Sequence, residues 1–182
     1  MAIPETTMPV TSPANAAKVE RHQPPRRGGR GELLVVMQVM LVAAFLFAPP
    51  WNPWLTPDFL ALSQSPRLAV LALCLVLALA IGGLGVLKLG TNLTPLPYPL
   101  DHNRLVTQGI YALIRHPLYS CQLFAALGWV VYSLSLGHLI LLVVAFLFFD
   151  YKAGKEERWL RERHPEYADY ARGTRKLIPW VY

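Results

Sequence analysis

The chain has 182 residues, of which 54% are hydrophobic and only 15% charged, with a formal net charge of +6; soluble domains carry roughly a quarter charged residues. That apolar excess points to lipid as part of the solvent; buried core helices could give the same count, but the polar positions at helical spacing that they would show are missing. Cys74 and Cys121 both sit in apolar stretches, which excludes a disulfide framework and a cysteine metal site, so no metal is expected and both thiols read as packing residues.

Residues 1–32 are rich in proline and carry Arg26, Arg27 and Arg30, the composition of a disordered basic tail. They do not read as a secretory signal, because the first apolar run starts late and the "PPWNPW" that follows offers no small-residue cleavage site. That run, Leu33–Ala48, is the first expected span, and Trp51 and Trp54 suit the aromatic belt beyond it. Leu68–Leu87 is the second. Leu118–Phe149 is too long for one crossing, since a helix rises about 1.5 Å per residue and hydrocarbon is about 30 Å thick. It is expected to form a helical hairpin, Leu118–Leu136 and Leu139–Tyr151, turning at Gly137-His138 and continuing as helix past Asp150.

The expected fold is therefore all-α, a polytopic membrane protein of about four transmembrane helices over residues 33–182. Of the 17 Lys and Arg, all but Arg67 fall in 1–32, 88–117 or 152–182, on one side of such an arrangement. By the positive-inside tendency that side is the cytoplasm, with both termini on it. The basic charge reads as a topology signal and an attraction to anionic headgroups; no nucleic-acid partner is expected.

Two polar segments share this face, Lys88–Pro117 and Lys152–Tyr182. The prolines at 95, 97 and 99 deny the first a helix. Asn92, Asp101, His102, Asn103 and Arg104 make it polar, as any solvated loop is. Pro117 suits the first turn of a helix, which puts His116 at the N-cap and Tyr119 one turn on, near the positive end of the helix dipole. Two readings stand there: an anion held by the helix N-terminus, or Arg115 reaching to headgroups while His116 caps the helix. In the second segment Glu156-Glu157 continues the last span. Neighbouring helical residues point about 100° apart, so one glutamate at most is expected to face inward, and Glu157 with Arg161 has the spacing of a surface pair.

Together, "GIYALIRHPLY", an apolar hairpin and "KEERWLRERHPEYADYARGTRKLIP" resemble the isoprenylcysteine carboxyl methyltransferases and the related phospholipid methyltransferases, over about residues 68–182. The resemblance implies a membrane methyltransferase using S-adenosylmethionine on a lipophilic acceptor, a lipidated cysteine-like carboxylate or a lipid amine, in a bacterial inner membrane. It implies His116, Tyr119, Leu105, Val106, Tyr111, Glu156 and Glu157 as cofactor-binding residues, and Glu156, Glu157 and Arg115 as catalytic. Gly82, Gly83 and Gly85 match a glycine pattern that permits close approach, although glycine in a span also serves helix packing. Ile110, Ala112 and Cys121 depart from the family pattern. An NADPH-binding, sterol-reductase-like enzyme and a non-catalytic membrane accessory share parts of the same signature.

Overall fold

The structure, a computed structural model, describes residues 31–96 and 104–182. The expected N-terminal tail, apart from Gly31 and Glu32, lies outside the described residues, as do Pro97, Pro99, Asp101, His102 and Asn103.

The described chain is helical. α1, Glu32–Phe47, starts after Gly31 in the left-handed region and ends ahead of Pro49-Pro50, which cannot continue it. α2, Pro57–Leu62, is a short helix whose cap Thr56 accepts from the Phe59 N–H at 3.3 Å. α3, Gln64–Leu89, stops at Gly90, whose φ of +52° an ordinary residue resists. After the connector and a 3-10 turn at Gly109–Ala112, α4 covers Pro117–Ser133 with its proline at the first position. α5, Leu136–Arg163, runs 28 residues without a break, and α6 covers Tyr167–Gly173.

The hairpin between α4 and α5 turns at Leu134-Ser135, earlier than Gly137-His138. Serine decides this. Its Oγ accepts from the His138 N–H at 3.3 Å and caps α5, the role in which serine is favoured, whereas Gly137 is tolerated inside a first turn. The same Oγ accepts from the Trp51 N–H at 2.9 Å, and Leu136 N–H reaches the Trp51 carbonyl at 2.9 Å. His138 is thereby drawn inward, its ring edge-on to Phe45 with centroids 5.0 Å apart.

α3 and α4 pack most closely. A Cβ on Gly82 would stand 3.0 Å from the Cys121 sulfur, one on Gly85 3.1 Å from Pro117, and one on Gly128 2.7 Å from the Cys74 Cβ. Small residues on both helices let the backbones approach, as in membrane helix pairs. Gly82 and Gly85 therefore serve helix packing rather than close approach to a ligand. Cys121, which the family pattern leaves unexplained, fills the notch over Gly82.

α3 with its following turn, Gln64–Asn92, and α5 are long and apolar enough to cross a membrane. α1 and α4, with 16 and 17 residues, fall short of the roughly 20 that a perpendicular crossing needs. Among the described residues many more large apolar side chains point outward than are buried: Phe47 is 84% exposed, Leu87 78% and Leu79 77%. Surface of that kind is stable against lipid and not against water. Arg67, the one basic residue expected apart from the rest, sits at the hairpin-turn end, where its guanidinium donates to the Tyr132 and Leu60 carbonyls.

Candidate functional site

At the opposite end, three segments distant in sequence converge. Leu113–His116 leads into α4 and pairs with the C-terminal segment around an isolated parallel bridge between Ile114 and Arg175. Arg115 N–H donates to the Arg175 carbonyl at 2.8 Å, Arg175 N–H to the Leu113 carbonyl at 3.1 Å, and His116 N–H to the Lys176 carbonyl at 3.2 Å. Leu177, fully buried against Ala145 and Phe149, anchors that pairing. Ser120 ties it from the helix side, donating to the Leu177 carbonyl at 2.5 Å. The start of α4 is thus covered by the chain's own carbonyls and is not an open anion seat.

α5 brings both glutamates to His116. Glu157 Oε1 lies 3.1 Å from His116 Nε2, and Glu156 Oε2 lies 3.5 Å from Nδ1. The expectation of a single inward glutamate fails because the imidazole projects between the two side chains, so that two directions about 100° apart both meet it, one at each ring nitrogen. Glu157 is also no surface residue. It is buried, accepts from Arg115 Nε at 2.8 Å, and holds the exposed Arg161 at 3.2 Å with its other oxygen. Tyr119 stacks on His116, with centroids 5.4 Å apart and planes 6° from parallel, and donates its hydroxyl to Glu156 Oε2 at 2.9 Å.

A cavity of about 560 Å³ opens beside this cluster. Leu105, Val106, Tyr111, Arg115, His116, Tyr119 and Glu156 line it, so seven of the eight residues expected from sequence share one wall system. Glu157 does not line it and stands behind His116. Arg115, expected to be catalytic, has Nε on Glu157 and Nη1 on the Ala171 and Thr174 carbonyls at 3.0 and 2.5 Å. Its guanidinium fastens α6 and the tail to α5, a positioning role.

Sequence reasoning missed the rest of the lining. Gln38 with Val35, Val39 and Val42 comes from α1, Gln122 from α4 and Lys152 from α5; Tyr167 and Tyr170 come from α6. The signal was present for three of them, because Gln38, Gln122 and Lys152 are polar residues in or bordering apolar runs, where polar side chains tend to mark sites. Tyr167 is 1% exposed and its hydroxyl has no hydrogen-bond partner among the described residues. A buried hydroxyl at a cavity wall is costly to leave unmade, and a ligand group would complete it.

The electrostatics follow the geometry. Burial opposes a charge on His116, but the hydrogen bonds to Glu156 and Glu157 and their charges outweigh it and raise its pKa above 6.5. Burial, with Glu156 and Tyr170 adding to it, pushes the Tyr111 phenol well above its ordinary range, and burial carries Tyr170 up to about 12. Both phenols stay neutral at physiological pH. For His116 a raised folded-state pKa means that its stabilisation is fully present below 6.5 and is lost as pH rises through the folded-state value. Thermal unfolding in detergent should therefore show wild-type stability falling on the alkaline side of 6.5, with a flatter profile for His116→Gln. Parallel profiles for the two proteins would contradict the assignment.

Similarity to known proteins follows the same segments. A family model described as phospholipid methyltransferase matches residues 66–166. The cobalt-zinc-cadmium resistance protein CzcN of Cupriavidus metallidurans is 42% identical over 79 residues, covering 43% of this chain and 37% of that protein. The nickel-cobalt-cadmium resistance protein NccN of Alcaligenes xylosoxydans xylosoxydans is 36% identical over 76 residues, 41% of this chain and 36% of its own. Protein-S-isoprenylcysteine O-methyltransferase B of Arabidopsis thaliana is 31% identical over 83 residues, 44% of this chain and 42% of its own. Each match spans less than half of the relative's length.

Proposed function

Because the chain belongs to the phospholipid methyltransferase family, we propose that it transfers a methyl group from S-adenosylmethionine to a lipophilic acceptor at the cytoplasmic face of a bacterial inner membrane. The acceptor is a lipidated cysteine-like carboxylate or a lipid amine. In this reading residues 33–182 form one membrane domain crossing four times, with the shorter α1 and α4 completed by thinning of the bilayer or by flanking polar groups. The termini and the cavity face the cytoplasm, in keeping with the placement of Lys and Arg.

The observation that carries the proposal is the His116, Tyr119 and Glu156 cluster on the wall of a cavity bounded by apolar helices. The residues fit the cofactor's chemistry. Glu156 offers a carboxylate to a cationic ligand, the unpartnered Tyr167 hydroxyl offers a hydrogen bond, and the connector at Leu105 and Val106 brings backbone to the same wall. S-adenosylmethionine, when bound, supplies an electrophilic methyl group on a sulfonium. The chain contributes position. Apolar residues of α1 and α4 exclude water, and stacking fixes the plane of Tyr119 beside His116, so that alignment lowers the barrier. A carboxylate acceptor needs no base; an amine acceptor does. Both glutamates raise the His116 pKa, which makes it the poorer proton acceptor and leaves Glu156 as the base for an amine.

Binding tests this reading. Purified protein in detergent is expected to bind S-adenosylmethionine saturably and NADPH not at all, with binding lost in His116→Ala. Saturable NADPH binding in its place would support the sterol-reductase-like alternative, and binding of neither would leave an accessory protein.

A further inference from the structure

Lys152 is the residue whose chemistry the fold explains least. It follows an apolar run, in residues 117–149, that contains no Lys, Arg, Asp or Glu, and it is only 1% exposed. A lysine at such a place ordinarily extends its ammonium to water or headgroups. Here the ammonium turns inward. Nζ donates to Gln38 Oε1 at 2.6 Å and to the Pro95 carbonyl at 3.3 Å, and stands 5.2 Å from the centre of the Tyr119 ring. These partners are all neutral. Glu156, one turn further along α5, gives its Oε2 to the Tyr119 hydroxyl. Among the described residues no carboxylate is bonded to this buried cation, and Glu156 acts on it only through space; such a charge is costly, and Lys152 lines the cavity where a ligand would supply a bonded anion.

Gln38 and Gln122 complete the feature. Gln38 accepts from Lys152 and donates its Nε2 to Gln122 Oε1 at 2.9 Å, while Gln122 donates to the Leu118 carbonyl at 2.8 Å. This polar chain crosses from α5 through α1 to α4 in the apolar part of the cavity, with Val35, Val39 and Val42 beside it. α1 also lies outside the matched residues 66–166, so the chain is not assembled from the family segment alone. The Tyr119 ring is shared: His116 stacks on it at 5.4 Å and the Lys152 ammonium stands 5.2 Å from its centre, which puts the ammonium next to the cofactor-type residues.

We propose that Lys152, with Gln38 and Gln122, seats an anionic head group, carboxylate or phosphate, of a molecule whose apolar tail lies along α1. The proposal rests on the methyl-transfer reading for what happens next, but the seat itself is a binding property. The ammonium binds the anion and repels a cationic amine, so the acceptors of this enzyme are acids or phosphate-bearing lipids. Gln38 releases Nζ to the incoming anion and donates to it through its amide.

The test uses purified full-length protein in a nonionic detergent with three single-chain probes, hexadecanoate, hexadecyl phosphate and hexadecylamine, and reads their affinities. The wild type should bind at least one anion about tenfold more tightly than the amine; which anion it prefers tells carboxylate from phosphate. Lys152→Met should abolish that preference, and Lys152→Arg should keep most of it. Affinity for S-adenosylmethionine, measured on the same samples, should stay within about twofold in all three proteins. A wild type that does not discriminate between anion and amine overturns the proposal without any variant, as does a preference surviving in Lys152→Met. Loss of S-adenosylmethionine binding with the anion preference intact would sink the methyl-transfer reading and leave the seat standing.

Discussion

Glu157→Leu is expected to destabilise the protein more than any other single change at the site. Glu157 Oε1 receives both Arg115 Nε at 2.8 Å and His116 Nε2 at 3.1 Å, and all three side chains are largely shielded, at 6%, 11% and 4% exposure. Leucine fills the volume but leaves a buried guanidinium and an imidazolium without their shared counter-charge. Breaking one partner of a buried pair costs about 3–5 kcal/mol, which for a chain of this size corresponds to a fall in Tm on the order of 10 °C. Thermal unfolding in detergent checks it. Arg115→Leu added to Glu157→Leu should restore part of the loss, since the stranded charge goes with it. A Glu157→Leu protein that melts within about 2 °C of the wild type would show that the ion pair contributes little.

How much of this was legible in the sequence differs by element. The helices of the apolar stretches were, because a run without charged residues has few folded alternatives in lipid. The boundary at Ser135 differs from the expected Gly137-His138 because a serine cap on α5 outweighs a glycine turn, and the Trp51 loop, which also bonds Ser135, is distant in sequence and leaves no local trace. His116, Tyr119 and the glutamates were found as a resemblance, and their spacing alone did not show that Glu156 and Glu157 would clasp opposite nitrogens of one ring. That depends on the height at which α5 passes α4, which the hairpin turn sets. Nor did the sequence separate their roles. Glu157 and Arg115 form a clamp behind the cavity and Glu156 lines it, with the tail at Arg175 and Lys176 holding the backbone of Arg115 and His116 through its carbonyls. Lys152 passed as one more cytoplasmic cation, since burial of a long side chain depends on α1 lying over it.

The division of roles yields the second large effect, in Glu156→Gln. Glu156 is partly exposed, with its side chain at 29%, lines the cavity and bonds only Tyr119 and His116 among the described residues. A glutamine keeps the shape and an oxygen for the Tyr119 hydroxyl, and His116 keeps Glu157, so the fold should lose little; Tm should stay within about 2–4 °C of wild type. What disappears is, among the described residues, the one carboxylate lining the cavity where a cationic cofactor would bind. A hydrogen bond to a charged group contributes about 1.5–3 kcal/mol, so affinity for S-adenosylmethionine should fall about tenfold to hundredfold. The opposite pattern from Glu157→Leu is the point of the comparison: one variant loses stability first, the other binding first. Titration of detergent-solubilised Glu156→Gln with the labelled cofactor, beside its melting curve, measures both. If that protein melts far below the wild type yet still binds with undiminished affinity, Glu156 belongs to the clamp and the cavity lies elsewhere than against its carboxylate.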